Sequence, residues 1–437
     1  MSSDASAWQR REAASLADAM RRRSDPAFGA TFVSGHGCRL IDADGDEWID
    51  LTCGYSAANF GHAFAPLVQA AQSQLVTLTH LTGLSHPGRV LLAEKLIEHC
   101  GKPNVENAVV FNTGGARAVE TAIKAAVSYR PGKVIAISPA FHGRSVATSL
   151  LSETNRTTLS ATDSAAFERR SLREFAYPPA CRHCAVRDGR TCDLTCQLTL
   201  IDYLEQRADE ISVVIFEPVV GARGYLLPPH DYWLRIAECC KRLGILLIAD
   251  EIQVGLGRGG AWLYSHRIGV QADLAVLGKS LGGGVTPISA VVGRRDVLDA
   301  LPAGCESETF AGSPLGTAVG LAVIEQLEAG PWMRRADEIG DRLRESLGEQ
   351  FGGERVEGAA GWACVEFLSA SSGVDLSARV ESAAREARAV SDRLIAARLL
   401  VHYTGPFATR IALIPPLTMT DEDISEVIHR CRSIELL

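Results

Sequence analysis

Three apolar runs end on charged residues, and those residues have the types needed for carbonyl chemistry. "DLAVLG" leads into Lys279, which is followed, after Ser280 and Leu281, by Gly282, Gly283 and Gly284. "ILLIA" ends at Asp250, and "SVVIF" ends at Glu217. A lysine held at the end of a buried strand loses hydration, so its amine deprotonates more readily and can form a Schiff base with a carbonyl. A buried aspartate can keep a pyridine nitrogen protonated, which makes the ring an electron sink. An anion cup completes the set. In "FNTGGARAVETAIK", Gly114 and Gly115 come just before a helical pattern, so free N–H groups and the helix dipole face outward. Each feature has an ordinary structural reading: a solvated lysine, a helix-capping acid, a simple turn. Together and in this order they point to one cofactor site.

The pattern around these residues predicts how they are positioned. "NAVVFN", "KVIAIS", "SVVIFEP", "ILLIADE" and "DLAVLGK" are short apolar runs alternating with helical segments such as "ARAVETAIKAAVSY" and "YWLRIAECCKRLG". Such alternation predicts an α/β domain with a mainly parallel sheet covered on both faces. Ligands of such sheets bind beyond the carboxyl ends of the strands, where Lys279, Asp250 and Glu217 fall. Residues 38–54 alternate about "DADGDE" and predict a β-hairpin. Residues 375–398 predict a charged helix, "TRIALIPP" a strand, and Thr420 and Asp421 the cap of a last helix. The predicted organisation is an N-terminal segment 1–64 that joins the small domain, a large domain 65–311, and a small α+β domain 312–437.

The chain has 437 residues, 46% hydrophobic and 22% charged, with a net charge of −8. It can bury a large core, and its charge argues against a nucleic-acid surface. No apolar stretch approaches the roughly 20 residues that span a bilayer, and the N-terminus lacks a signal-peptide core. A cytoplasmic protein without membrane partners is expected. Most of the twelve cysteines read as small buried apolar residues. Cys181, Cys184, Cys192 and Cys196 differ, with the spacing C-x2-C-x7-C-x3-C in a polar insert, 178–197. Four such thiols suit zinc or an iron–sulfur cluster, and equally a set of free or redox-labile thiols; His183 is a bystander.

From "LIDADGDEWIDLTCGYSAANFGH" through "AFHGRS", "FEPVVG", "ADEIQVGLGRGG", "LGKSLGGG" and "ETFAGSPLG" to "PPLTMTDEDI", the sequence resembles class III pyridoxal-phosphate-dependent aminotransferases, the group of ornithine and 4-aminobutyrate aminotransferases. The resemblance covers nearly the whole chain and implies a fold-type I transferase. It implies that Lys279 carries the cofactor, that Asp250 partners its ring nitrogen and that Gln253 contacts its phenolic oxygen. Phe141 would stack on the ring, with His142 and Gly143 beside it and Glu217 as a supporting acid. Gly114, Gly115 and Ala116 would hold the phosphate, joined by Thr309 of a neighbouring subunit, which makes a homodimer the active unit. Tyr55 and Trp262 would face small-molecule amine and keto substrates.

Two departures from the family pattern bear on substrate choice. The motif E-P-x-Q-G-E-G reads "EPVVGAR" here, with Val220 for the glutamine and Ala222 for the second acid. That acid pairs in the family with an arginine whose place is taken by Ala412. Losing both partners is nearly neutral, whereas losing one strands a buried charge. Arg410 shares a strand face with Ala412 and is expected to bind a co-substrate carboxylate, with Arg223 as a second candidate. A glutamate usual in the phosphate-cup helix is replaced by Arg117. These features point to an aminotransferase for a non-α or ω amine; the alternative is a racemase, epimerase or aminomutase on the same scaffold.

Overall fold

The computed structural model describes residues 5–17, 20, 29–137, 139–152, 195–222, 224–228, 231–368, 376–405 and 407–434. The chain divides into two compact units, residues 1–65 with 334–437, and residues 66–333.

In the first unit, β1 (Phe32–His36), β2 (Arg39–Asp42) and β3 (Glu47–Asp50) form an antiparallel meander. The turn between β2 and β3 is closed by Asp42, whose Oδ1 accepts from the N–H groups of Asp44 and Asp46 at 3.1 and 2.9 Å. Its Oδ2 accepts from Trp48 Nε1 at 2.7 Å, which buries the indole with its polar edge satisfied. Cys53, Gly54, Tyr55 and Ser56 then all take positive φ, 51–69°, a left-handed turn that non-glycine residues resist.

The second unit is built on one six-stranded sheet. Its strands are β4 (Asn107–Asn112), β5 (Lys133–Ala136), β6 (Ile211–Phe216), β7 (Leu246–Asp250), β8 (Leu274–Leu277) and β9 (Ser289–Arg294), in the spatial order β4-β9-β8-β7-β6-β5. The pairs β5·β6, β6·β7 and β7·β8 are parallel; β9 runs antiparallel to both β8 and β4. Every residue of β6, β7 and β8 is buried. That is why these strands read as unbroken apolar runs. The helix Gly115–Tyr129 packs Ala118, Val119, Ala122, Ala125 and Ala126 onto the sheet. The helix Tyr232–Leu243 belongs to a separate core cluster with Trp233, Ile236 and Cys240.

The remaining strands return to the first unit: β10 (Val356–Glu357), β11 (Ala363–Glu366), β12 (Leu399–Leu400), β13 (His402–Thr404) and β14 (Arg410–Leu413). β12 pairs in parallel with β3, and β10-β11-β14-β13 form an antiparallel sheet. The helix Leu376–Ala396 lies close to the predicted span, and the last helix, Asp421–Ser433, has a capping box between Thr420 and Asp423. The second boundary between the units falls at 333/334, not at 311/312 as the sequence suggests. The cause is the helix Pro314–Ala329. It buries Val319, Val323, Ile324 and Leu327 and packs on the helix Pro87–Cys100, so it belongs to the large unit's core. Among the described residues no helix is long and apolar enough to cross a membrane.

Candidate active site

Glu217, Asp250 and Lys279 stand at the carboxyl ends of three adjacent parallel strands, β6, β7 and β8. Lys279 opens a 3-10 turn, Lys279–Gly282, with φ 42°, and Gly283 at φ 57° closes it. A left-handed lysine and a following left-handed glycine turn the chain sharply back at the strand end. Burial pushes the Lys279 amine down to about 8; the charges of Glu217 and Asp250 oppose this, and that of Arg144 adds to it. Burial likewise pushes Glu217 up to about 7, against the pull of a protonated His142. Glu217 accepts from the N–H of Phe141 at 2.9 Å and of Gly221 at 3.3 Å.

Asp250 is buried, and its Oδ2 meets His142 Nδ1 at 2.8 Å. Its Oδ1 accepts from Ile252 N at 3.2 Å. Burial opposes protonation of His142, but the hydrogen bond and charge of Asp250 outweigh it and hold the ring above its ordinary value. His142 therefore orients the aspartate. The sequence places His142 beside the site, but its contact with an acid 108 residues away is a tertiary fact.

Gly143, at φ 134°, lets the 141–143 segment pass against the cup helix, because a Cβ there would run into Ala116. Phe141 is half-buried, with the Arg144 guanidinium 5.4 Å from its ring centroid. The helix Gly115–Tyr129 starts from Gly114, which provides no side-chain cap and has no heavy atom within 4 Å of where its Cβ would be. Its first N–H groups are thus open to an anion. Gln253 is buried, and its Nε2 donates to the hydroxyl of Tyr225, a residue that the sequence motifs did not single out.

Other expected site residues lie elsewhere or in other states. Thr309 is exposed, and its carbonyl accepts from Thr82 Oγ1 at 3.4 Å. Trp262 stacks on His99 with ring centroids 3.8 Å apart. Tyr55 belongs to the first unit, where it packs edge-on against His402. Arg410 is also in the first unit and corrects the expectation that it is free for a co-substrate. It is fully buried, with Nη2 2.7 Å from Glu357 and Nη1 3.4 Å from Glu366. Glu366 faces it across the β11·β14 register, so the guanidinium already has two carboxylates. Arg223 and the thiols Cys181, Cys184 and Cys192 lie outside the described residues, as does the side chain of Cys196.

A desolvated lysine, a carboxylate fixed by a histidine and an uncapped helix N-terminus suit a phosphorylated pyridine aldehyde in each of its parts. These features, on a mainly parallel six-stranded sheet, define a fold-type I pyridoxal-phosphate enzyme. Residues 19–434 match the model of the family described as "Aminotransferase class-III", and the chain belongs to that family. It is 31% identical over 401 residues to the acetylornithine aminotransferase of Mycolicibacterium smegmatis, covering 91% of each chain. It is 30% identical to the leucine/methionine racemase of Thermococcus litoralis, covering 91% of this chain and 88% of that one. The crystal structure of the Toxoplasma gondii ME49 ornithine aminotransferase superposes with a TM-score of 0.80 at 25% identity, covering 98% of this chain and 94% of that one. The protein is a pyridoxal-phosphate-dependent aminotransferase.

Proposed function

We propose that this enzyme moves an amino group between an amine remote from any α-carboxylate and a keto acid or aldehyde. The observation that carries the site assignment is the placing of Lys279, Asp250 and Glu217 on three neighbouring strand ends. When bound, pyridoxal phosphate supplies a carbonyl that receives the amine and a ring that takes up the electron pair released at the substrate's Cα. Lys279 holds the cofactor and, once released, takes and returns the proton at Cα; an amine near pH 8 suits that exchange. Asp250 holds the proton on the ring nitrogen, with His142 orienting it. Gly114, Gly115 and Ala116 hold the phosphate, Phe141 covers the ring, and Gln253 donates to the phenolic oxygen. Glu217 braces Phe141 through its backbone N–H.

The preference for a non-α amine is supported by Ala222 and Ala412 in place of the family's ion pair, and by Arg410 already being paired. Among the similar proteins are an acetylornithine and an ornithine aminotransferase. A racemase reading is favoured by one relative, the leucine/methionine racemase. One experiment separates the two. Holoenzyme mixed with an amine donor and no acceptor should release one equivalent of carbonyl product per site. A racemase releases none and inverts the donor instead.

A homodimer is supported by the exposed apolar side chains Leu75, Val76, Leu84, Val90, Leu91 and Phe310 of the large unit. In it, Thr309 would serve the cofactor phosphate of the other subunit. Sedimentation at micromolar concentration tests this, and a monomer with full activity refutes it. A metal at Cys181, Cys184, Cys192 and Cys196 rests on spacing alone, and elemental analysis of the purified protein tests it. A cytoplasmic location fits the free, buried thiols such as Cys100 and Cys240, and cell fractionation tests it.

A further inference from the structure

The turn after Glu217 closes on Gln253 from two sides. Gly221 lies so close that a Cβ there would overlap the Gln253 side chain. Tyr225 is wholly buried, and its hydroxyl accepts from Gln253 Nε2. The loop is stiffly held: Tyr225 N donates to Gly221 O at 3.1 Å, and Val220 and Leu226 exchange backbone hydrogen bonds at 3.1 and 3.2 Å. Tyr225 sits at φ 54°, a region that a tyrosine enters only when its surroundings require it.

A carboxamide has two ends of similar shape, one donating and one accepting. Whichever end faces the cofactor's phenolic oxygen decides between attraction and repulsion. In this structure Nε2 is the end that meets the Tyr225 hydroxyl, with Gly221 packed against the side chain, and its second N–H is left to give. We propose that Tyr225 is a positioning residue for cofactor chemistry: its hydroxyl fixes the orientation of the Gln253 carboxamide so that an N–H, and not the carbonyl oxygen, meets the phenolic oxygen. The inference rests on the proposed role of Gln253. It predicts a specific electronic effect. Donation to the phenolic oxygen drains negative charge from it, so the nitrogen joining Lys279 to the cofactor holds its proton less tightly. Without the Tyr225 hydroxyl both carboxamide orientations open, and that nitrogen keeps its proton to higher pH.

The test is a visible-absorbance pH titration of holoenzyme, which follows the lysine–cofactor chromophore and not turnover. Tyr225→Phe removes one hydroxyl; Tyr225→Met serves if the first variant does not fold. The expected midpoint rises by roughly half to one pH unit, as loss or reversal of one hydrogen bond to a charged atom would give. We expect kcat to fall severalfold with KM nearly unchanged. In a Gln253→Met background, Tyr225→Phe should move the midpoint no further. A midpoint equal to wild type in the single variant overturns the proposal. An equal rise in the Gln253→Met background also overturns it, since the hydroxyl would then act without the glutamine. A wild-type protein with no such chromophore would instead refute the cofactor site itself.

Discussion

Replacing Arg410 by alanine should cost stability and spare substrate recognition. The guanidinium is fully buried between Glu357 and Glu366, whose side chains are 17% and 5% exposed. Breaking a buried ion pair from one side costs about 3–5 kcal/mol, because the remaining charge is stranded. Glu357 can turn toward water, whereas Glu366 cannot, so the lower end, about 3 kcal/mol, is expected. This would lower the unfolding midpoint of the first unit by roughly 10 °C in calorimetry. The loss should also depend on pH. Burial raises Glu366 above its ordinary value of 4.5 even with Arg410 present. In the variant its folded value rises further, so the native state binds the proton more tightly than the unfolded chain. Stability then falls as pH rises through and above 4.5, and the variant's deficit is smallest in acid. Glu366→Gln in the same chain should restore most of the loss. The reasoning is refuted if Arg410→Ala stays within about 1 kcal/mol of wild type while kcat/KM falls only for a carboxylate-bearing co-substrate.

Lys279→Ala should bind cofactor without a covalent bond and lose turnover; borohydride reduction and peptide mapping of wild type should label Lys279, and a label on another lysine refutes the assignment. Capture of cofactor by apoenzyme should accelerate with pH only up to about 8, where the Lys279 amine is free; stopped-flow rates still climbing tenfold per unit beyond pH 9 would refute that lowered value. Asp250→Asn should retain cofactor yet lower kcat by orders of magnitude, because a neutral amide cannot hold the ring proton; near-normal kcat would assign that work to another group. His142→Asn should lower kcat less than Asp250→Asn does, because it removes only the brace, and the ratio of the two kcat values checks this order.

The site was legible where chemistry coincides with a local pattern. β6, β7 and β8 are buried on both faces, so their runs are continuous, and the first polar residue after each run is the candidate site residue. The glycines of the cup were legible for the same reason, since an uncapped helix start is a local feature. Whatever depends on strand direction or on distant partners was not. Ser289–Arg294 reads like any buried strand, and nothing in its periodicity shows that β9 runs antiparallel to β8. Tyr225 and Gln253 are 28 residues apart, and the left-handed φ of 54° falls on a tyrosine, a residue type that does not announce it. Arg410 was read through its own strand face, but its fate is decided by Glu366 on the neighbouring strand, which only the register reveals.

The charged departures from the family pattern follow one rule in this structure: a changed charge comes with a changed partner. Ala222 and Ala412 replace an acid and an arginine together, leaving no stranded ion. Arg117, where the family has a glutamate, is met by three carboxylates, with Glu120 3.6 Å from its Nη1. Glu308 accepts from its Nε, and Glu306 lies 3.0 Å from its Nη2. Glu306 is further bound by Thr121 and Lys124, and Glu308 by Thr113 N and Oγ1 at 3.3 and 3.1 Å. A glutamate at 117 would add a fourth carboxylate to Glu120, Glu306 and Glu308, where like charges repel; the arginine pairs with them instead. The same logic explains Arg410, whose two glutamates use up the charge that a substrate carboxylate would need. In each described case a retained charge is paired within its own unit.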